Sequence, residues 1–250
     1  MKNFKNFCSR HLAALSLALV GALSLFGIAA AAAPVADAAS CTTVSCVQQF
    51  GNQRIQERLT ALEKLKTDAK NNKALTGQQQ DIIVNDANSN ENGLNALKKQ
   101  LDAETAIKPA LADVKNIYVQ FRIYAVVLPR DYGEIELFHE QNASQRMTDA
   151  EVTIDALIQK DQNGKNIGQI KTLDQDYMNK LNDASTNMKG AQGLIPSLVP
   201  ANYPGTNSTL KTYHQDLKTA RLDLQGAAND LHQMTQLLKE DLGGSTGSSS

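Results

Sequence analysis

Five leucines spaced seven residues apart constrain this chain more than any other feature. Leu210, Leu217, Leu224, Leu231 and Leu238 recur in register, and Tyr213, Ala220, Ala227 and Met234 follow three positions after the first four. An apolar a/d pattern held this long is the seam of a helix packed against neighbours in coiled-coil fashion. Asn207 offers an N-cap and Gly243-Gly244 ends the run. At 1.5 Å per residue such a helix spans about 52 Å, too long for a compact globule of this size, so the expected body is elongated.

Upstream the period recurs less regularly. Ile55, Leu59, Leu62, Leu65 and Ala69 mark a first helix, closed by Asn71-Asn72 and Thr76-Gly77. Ile83, Ala87, Leu94, Leu97 and Leu101 mark a second, with Asn90 at a seam position where an apolar residue is expected. Ile107, Leu111, Val114, Tyr118, Phe121, Ala125 and Leu128 step by four and three and mark a third. A fourth follows Pro129 with Ile135, Phe138, Met147, Ala150, Ile154 and Leu157. After a break at 161–164, a fifth carries Ile170, Leu173, Tyr177, Leu181 and Met188. Pro196, Pro200 and Pro204 fall in the loop over 194–206, and no fixed-period repeat supports a solenoid. The expected fold is all-α: an elongated antiparallel helical bundle with coiled-coil-like packing and a long central helix kinked at Pro129.

The first 38 residues differ in character. Lys2, Lys5 and Arg10 precede an uncharged apolar run over 12–28, and Ala36-Asp37-Ala38 supplies the small-x-small pattern of a signal-peptidase site. The organisation read from this is a signal peptide over 1–38, a helical bundle over 39–242 and a disordered Gly/Ser tail over 243–250. A retained leader would act as a membrane anchor, but its alanine-rich end favours cleavage. No transmembrane helix is expected after cleavage, and the expected location is secreted or in the cell envelope. Cys41 and Cys46 then remain as a pair in an oxidising compartment and are expected to form a disulfide. The alternative is a lipid anchor on Cys41, because Ala39-Ser40-Cys41 resembles the end of a bacterial lipobox, although position 38 is Ala rather than Leu or Val.

Charge narrows the partners. The formal charge of −1 becomes −3 once Lys2, Lys5, Arg10 and Asp37 leave with the leader, which argues against nucleic acid. The protein has no Trp and 5% aromatics, which disfavours sheet-rich architectures.

The middle departs from its surroundings. Tyr118, Phe121, Tyr124, Tyr132 and Phe138 are five of the nine aromatics left after the leader, and the run over 123–128 is apolar on every side. Pro129 lacks an N–H, and a regular helix across it would leave the Ala125 carbonyl unpaired, at about 3 kcal/mol. One reading is a kinked helix in which Phe121, Tyr124, Leu128, Ile135 and Phe138 form an enclosed core. The other, for 119–138, is a β-hairpin turning at 129–133, marginal as an isolated ribbon.

Phe121-Arg122-Ile123-Tyr124-Ala125-Val126-Val127-Leu128-Pro129 resembles a segment of secreted, all-helical hypothetical proteins of Gram-positive-type bacteria. Ala201-Asn202-Tyr203-Pro204-Gly205 and Ala220-Arg221-Leu222-Asp223-Leu224 resemble two further landmarks of the same family, which is functionally uncharacterised. The resemblance implies an exported helical protein and no activity, so it transfers no functional residue.

Chemistry-bearing patterns are sparse. Glu136 and His139 have the Glu-x-x-His spacing of a bundle metal site, but no second such pair exists, and a solvated Glu with a half-buried His is the simpler account. Asp86-Ala87-Asn88-Ser89-Asn90 imitates the start of a calcium loop and fails at Glu91 and Leu97, leaving an Asn-rich helix surface. No Gly-x-Ser-x-Gly elbow and no phosphate loop occurs. Arg122, Arg130, Asp131 and Glu134 within the apolar middle read as internal salt-bridge partners or as part of a ligand pocket. The expectations are therefore no enzyme, no catalytic or metal residue and no cofactor. The expected role is a structural or protein-interaction module meeting an envelope protein or surface polymer, with Arg122, Tyr124, Tyr132, Glu136 and His139 as its candidate ligand or partner surface. The alternative is a small-ligand-binding bundle with an apolar pocket near Pro129.

Overall fold

The computed structural model describes residues 38 and 40–244. The proposed leader, apart from Ala38, and residues 245–250 of the tail lie outside the described residues. Helices α1 (Val44–Asn71), α2 (Gly77–Ala103), α3 (Ile107–Asn116), α4 (Leu128–Lys160), α5 (Ile167–Leu194) and α6 (Thr206–Gly244) follow in order. Two π-helical turns, Ile117–Phe121 and Ile123–Val127, join α3 to α4. No strand occurs among the described residues, so the fold is all-α and the hairpin alternative for 119–138 falls. Among these residues, no helix is long and apolar enough to cross a membrane.

Local chemistry explains where the first helices start. Thr43 caps α1 by accepting the Cys46 N–H at 3.2 Å. Thr76 accepts the Gln79 N–H at 3.2 Å, and the Gln79 side chain accepts the Thr76 N–H at 2.9 Å, a reciprocal capping box. A disulfide joins Cys41 to Cys46 across the start of α1. That bond engages the sulfur a lipid anchor on Cys41 would need.

Two compact units make up the described residues, each drawing on segments of the long helices. The first comprises 38–139 and 191–214. Its α1 and α2 run antiparallel: the Gln48 side chain donates to the Leu101 carbonyl at 3.0 Å toward one end, and Lys66 pairs with Glu91 at 2.7 Å toward the other. Between them lie Ile55, Leu62, Leu65, Ile83, Leu94 and Leu101, all fully buried, joined by Val114, Ile117 and Ile123. Ile135 and Phe138 belong to this cluster, and Phe121 and Leu128 pack against it, so much of the expected enclosed core is present. Tyr124 stands outside it.

The second unit comprises 140–190 and 215–244. Here α5 runs antiparallel to both neighbours. Tyr177 on α5 donates to the Met147 carbonyl of α4 at 2.6 Å, Asn187 donates to Asp223 of α6 at 3.2 Å, and Lys180 pairs with Asp230. Every α6 seam position named from the sequence is buried, as the heptad pattern requires.

The central helix is interrupted at Arg122, not at Pro129. Arg122 has φ 42° and ψ 42°, the one positive φ at a non-glycine among the described residues. Pro129 is the second residue of α4, a first-turn position where a missing N–H is tolerated. The proline therefore demands no kink there.

Candidate functional site

The break between α3 and α4 concentrates the unusual chemistry of the first unit. The backbone leaves α-helix after Asn116, makes one π-helical turn, passes through left-handed Arg122 and makes a second before α4. Single π-helical turns recur at functional sites because they re-aim side chains. From below, Ile117, Ile123, Val126 and Val127 are buried. Phe121 lies on Gly93 of α2, where an added Cβ would approach its ring to 2.5 Å. Only glycine leaves room for that ring.

Arg122 itself is half-buried, and its guanidinium stacks 3.8 Å from the centroid of the Tyr203 ring. Among the described residues the guanidinium forms no hydrogen bond or ion pair, while the Arg122 carbonyl accepts from the Ala125 and Val126 N–H groups at 3.1 and 2.9 Å. Tyr203 follows the short 3₁₀ turn Pro200–Asn202, which packs against the first π-helical turn. Stretches 121–129 and 201–205, far apart in sequence, meet at this stack.

A second arginine is treated differently. Arg58 of α1 is 5% exposed and held between Tyr118 and Tyr124, at 4.5 and 5.1 Å from the ring centroids. It donates to the Arg54 carbonyl at 2.8 Å, and no carboxylate reaches it among the described residues. Burial lowers its pKa against the opposing pull of Tyr118 and Tyr124. The clamp fixes Tyr124, whose hydroxyl donates to the Glu57 carbonyl at 3.1 Å. Tyr124 also lines an open depression of about 470 Å³ with Gln53, Gln56, Glu57 and Thr60. A neighbouring depression of about 610 Å³ runs along α1 against Glu91 and Asn95. Pro129 lines neither.

Arg130 is the third arginine, and it is fully committed. It pairs with Asp131 at 2.7 Å and with Asp86 of α2, and it donates to the Leu198 carbonyl at 3.4 Å. Asn90 donates to both the carbonyl and the carboxylate of Asp86 at 3.0 Å. Asp86 and Asn90 thus anchor a buried ion pair rather than forming a plain solvated surface, which is why a polar residue occupies that seam position. Burial, opposed by Arg130 and reinforced by Asp86, pushes the Asp131 carboxyl up to about 8. The single Arg130 guanidinium is shared between Asp131 and Asp86, so its pull does not offset the burial of Asp131. Glu134 is likewise pushed upward, first by burial.

The candidate surface read from sequence does not gather into one pocket. Arg122 meets Tyr203, Tyr124 meets Arg58, and the Tyr132 hydroxyl donates to Asp68 at 2.8 Å. Glu136 and His139 sit one turn apart on α4, both half-buried. Sequence reasoning missed Tyr203, Arg58 and Gly93 as parts of the site. Tyr203 lay within one of the landmark stretches, whereas nothing local marks Arg58 or Gly93.

Fold and site define an all-α two-unit protein with a strained, arginine-bearing break in its central helix. No protein-family model, curated protein or solved structure matches it.

Proposed function

We propose that this is an exported interaction module of the cell envelope or extracellular space, presenting the surface around Arg122 and Tyr203 to an envelope protein or surface polymer. The observation that carries the reading is the left-handed backbone at Arg122. A non-glycine residue there costs about 1–2 kcal/mol, and such strain concentrates at binding sites, where its geometry is used. A link serving only to connect α3 to α4 would be cheaper as continuous helix or with glycine at the turn. The apolar leader and the Cys41–Cys46 disulfide support export.

Two photo-crosslinking positions test this in cells: exposed Asn202 beside the stack, and exposed Val152 in the second unit as a control. The expected result is a discrete adduct from position 202 alone, on a protein recovered from medium or envelope and beginning at Ala39. Equal labelling from both positions, no adduct from 202, or a cytoplasmic protein retaining its leader would end the reading.

A further inference from the structure

Resting on that reading, we infer that Arg122 and Tyr203 form the recognition point for a carboxylate on a peptide segment of a partner protein, supplied by an Asp or Glu residue or by a free C-terminus. The four arginines among the described residues of the first unit separate by what their guanidinium groups still offer, and Arg54 is paired with Glu57 at 2.9 Å. Arg58 is sealed between two tyrosines, and Arg130 is spent on Asp86, Asp131 and the Leu198 carbonyl. The Arg122 guanidinium has one face against Tyr203 and no ionic or hydrogen-bonded partner among the described residues. Stacking uses the face of a guanidinium and leaves its edge, with the N–H donors in a planar fork, for a bidentate acceptor. A carboxylate matches that fork.

The surroundings favour a peptide over a polyanionic polymer. A polymer of repeating phosphates is held by many cations at once, and here one uncommitted guanidinium is offered. Beside it are groups that protein partners use. Val119, 43% exposed, and exposed Gln120 belong to the π-helical turn that packs on Pro200–Asn202, and Pro204 is exposed next to Tyr203. Arg and Tyr dominate the energetics of protein interfaces. The left-handed backbone and the tyrosine stack hold the cation in place before binding, which lowers the ordering entropy that a flexible surface arginine would lose.

The test displays a random peptide library with free C-termini to the mature, disulfide-bonded protein. Enriched peptides are resynthesised with each carboxylate replaced by its amide, and binding is read by calorimetry. The expected result is one carboxylate whose amidation weakens binding by about tenfold or more, the size of one charge-assisted hydrogen-bonded contact. In Arg122→Gln that difference should vanish, in Arg122→Lys it should return only in part, and Tyr203→Ala should reduce it. Circular dichroism confirms that each variant is folded. Amidation acting equally on wild type and Arg122→Gln would overturn the inference while leaving an interaction surface in place. So would poly(glycerol phosphate) binding through Arg122 in the absence of any enriched peptide. No enrichment together with no adduct from position 202 would remove the interaction reading itself.

Discussion

In the second unit, α6 buries Leu217, Leu224, Leu231 and Leu238 at seven-residue intervals in unbroken α-helix. In the first, the connection between α3 and α4 buries Ile117, Ile123, Val126 and Val127, and it leaves α-helix twice to do so. The four-three stepping from Ile107 to Leu128 reads as one continuous face: Val114 is buried, and Ile107, Leu111, Tyr118, Phe121 and Leu128 pack half-buried against the core, whereas Ala125 is exposed. A π-helical turn bonds five residues back instead of four, so each one rotates the buried face away from the α-helical phase. The seam spends its residues on packing alone. The break uses backbone strain to hold Arg122, Tyr118 and Tyr124 in fixed positions around its edge.

Truncation in the two cores should give the largest effects. Leu224→Ala, with 1% of the residue exposed, is expected to lower unfolding free energy by about 2–5 kcal/mol in urea melts. Phe121→Ala should fall at the lower part of that range, about 2–3 kcal/mol, because the ring is only partly enclosed. An effect below about 1 kcal/mol would make Phe121 a surface residue and remove the support beneath the break.

Alkaline pH should come next, and it probes one buried acid in each unit. Burial pushes Glu140 of the second unit up to about 8, with Arg221 at 3.6 Å, and Asp131 of the first also to about 8. Both are raised above their unfolded values. The stability tied to each neutral carboxyl is therefore complete at acidic pH and is lost as pH climbs from the ordinary carboxylate range through 8. The protein should therefore be less stable in melts at pH 9 than at pH 5. Glu140→Gln should flatten the slope contributed by the second unit, and an unchanged slope would show that Glu140 is ionised in the fold.

A smaller effect separates the regions by sign. At exposed Lys218 on α6, glycine should be less stable than alanine by about 1 kcal/mol, as in any regular helix. At Arg122 the order should invert, with Arg122→Gly more stable than Arg122→Ala by about 1–2 kcal/mol, because glycine adopts the left-handed backbone freely. The same order at both sites would mean that Arg122 is not strained in solution. Smallest of all, Lys218→Ala should change stability by less than about 0.5 kcal/mol.

The sequence by itself determined the features that local periodicity and local chemistry encode. These are the α6 seam, the helical segments before it, the Asn71-Asn72 end of α1 and the pairing of Cys41 with Cys46. It also marked the stretch around 118–139 as different, and of the four charges it offered as internal salt-bridge partners or as part of a ligand pocket, Arg130 and Asp131 pair with each other. Only the tertiary structure decided how the difference is resolved. Nothing in the sequence near position 122 favours a left-handed arginine, and Pro129 is the stronger local breaker. Long-range packing overrides that preference: Gly93 receives Phe121 from 28 positions away, Arg58 fixes Tyr118 and Tyr124, and Tyr203 covers Arg122. A backbone state disfavoured by about 1–2 kcal/mol leaves no local signature, because the contacts that sustain it come from residues distant in sequence.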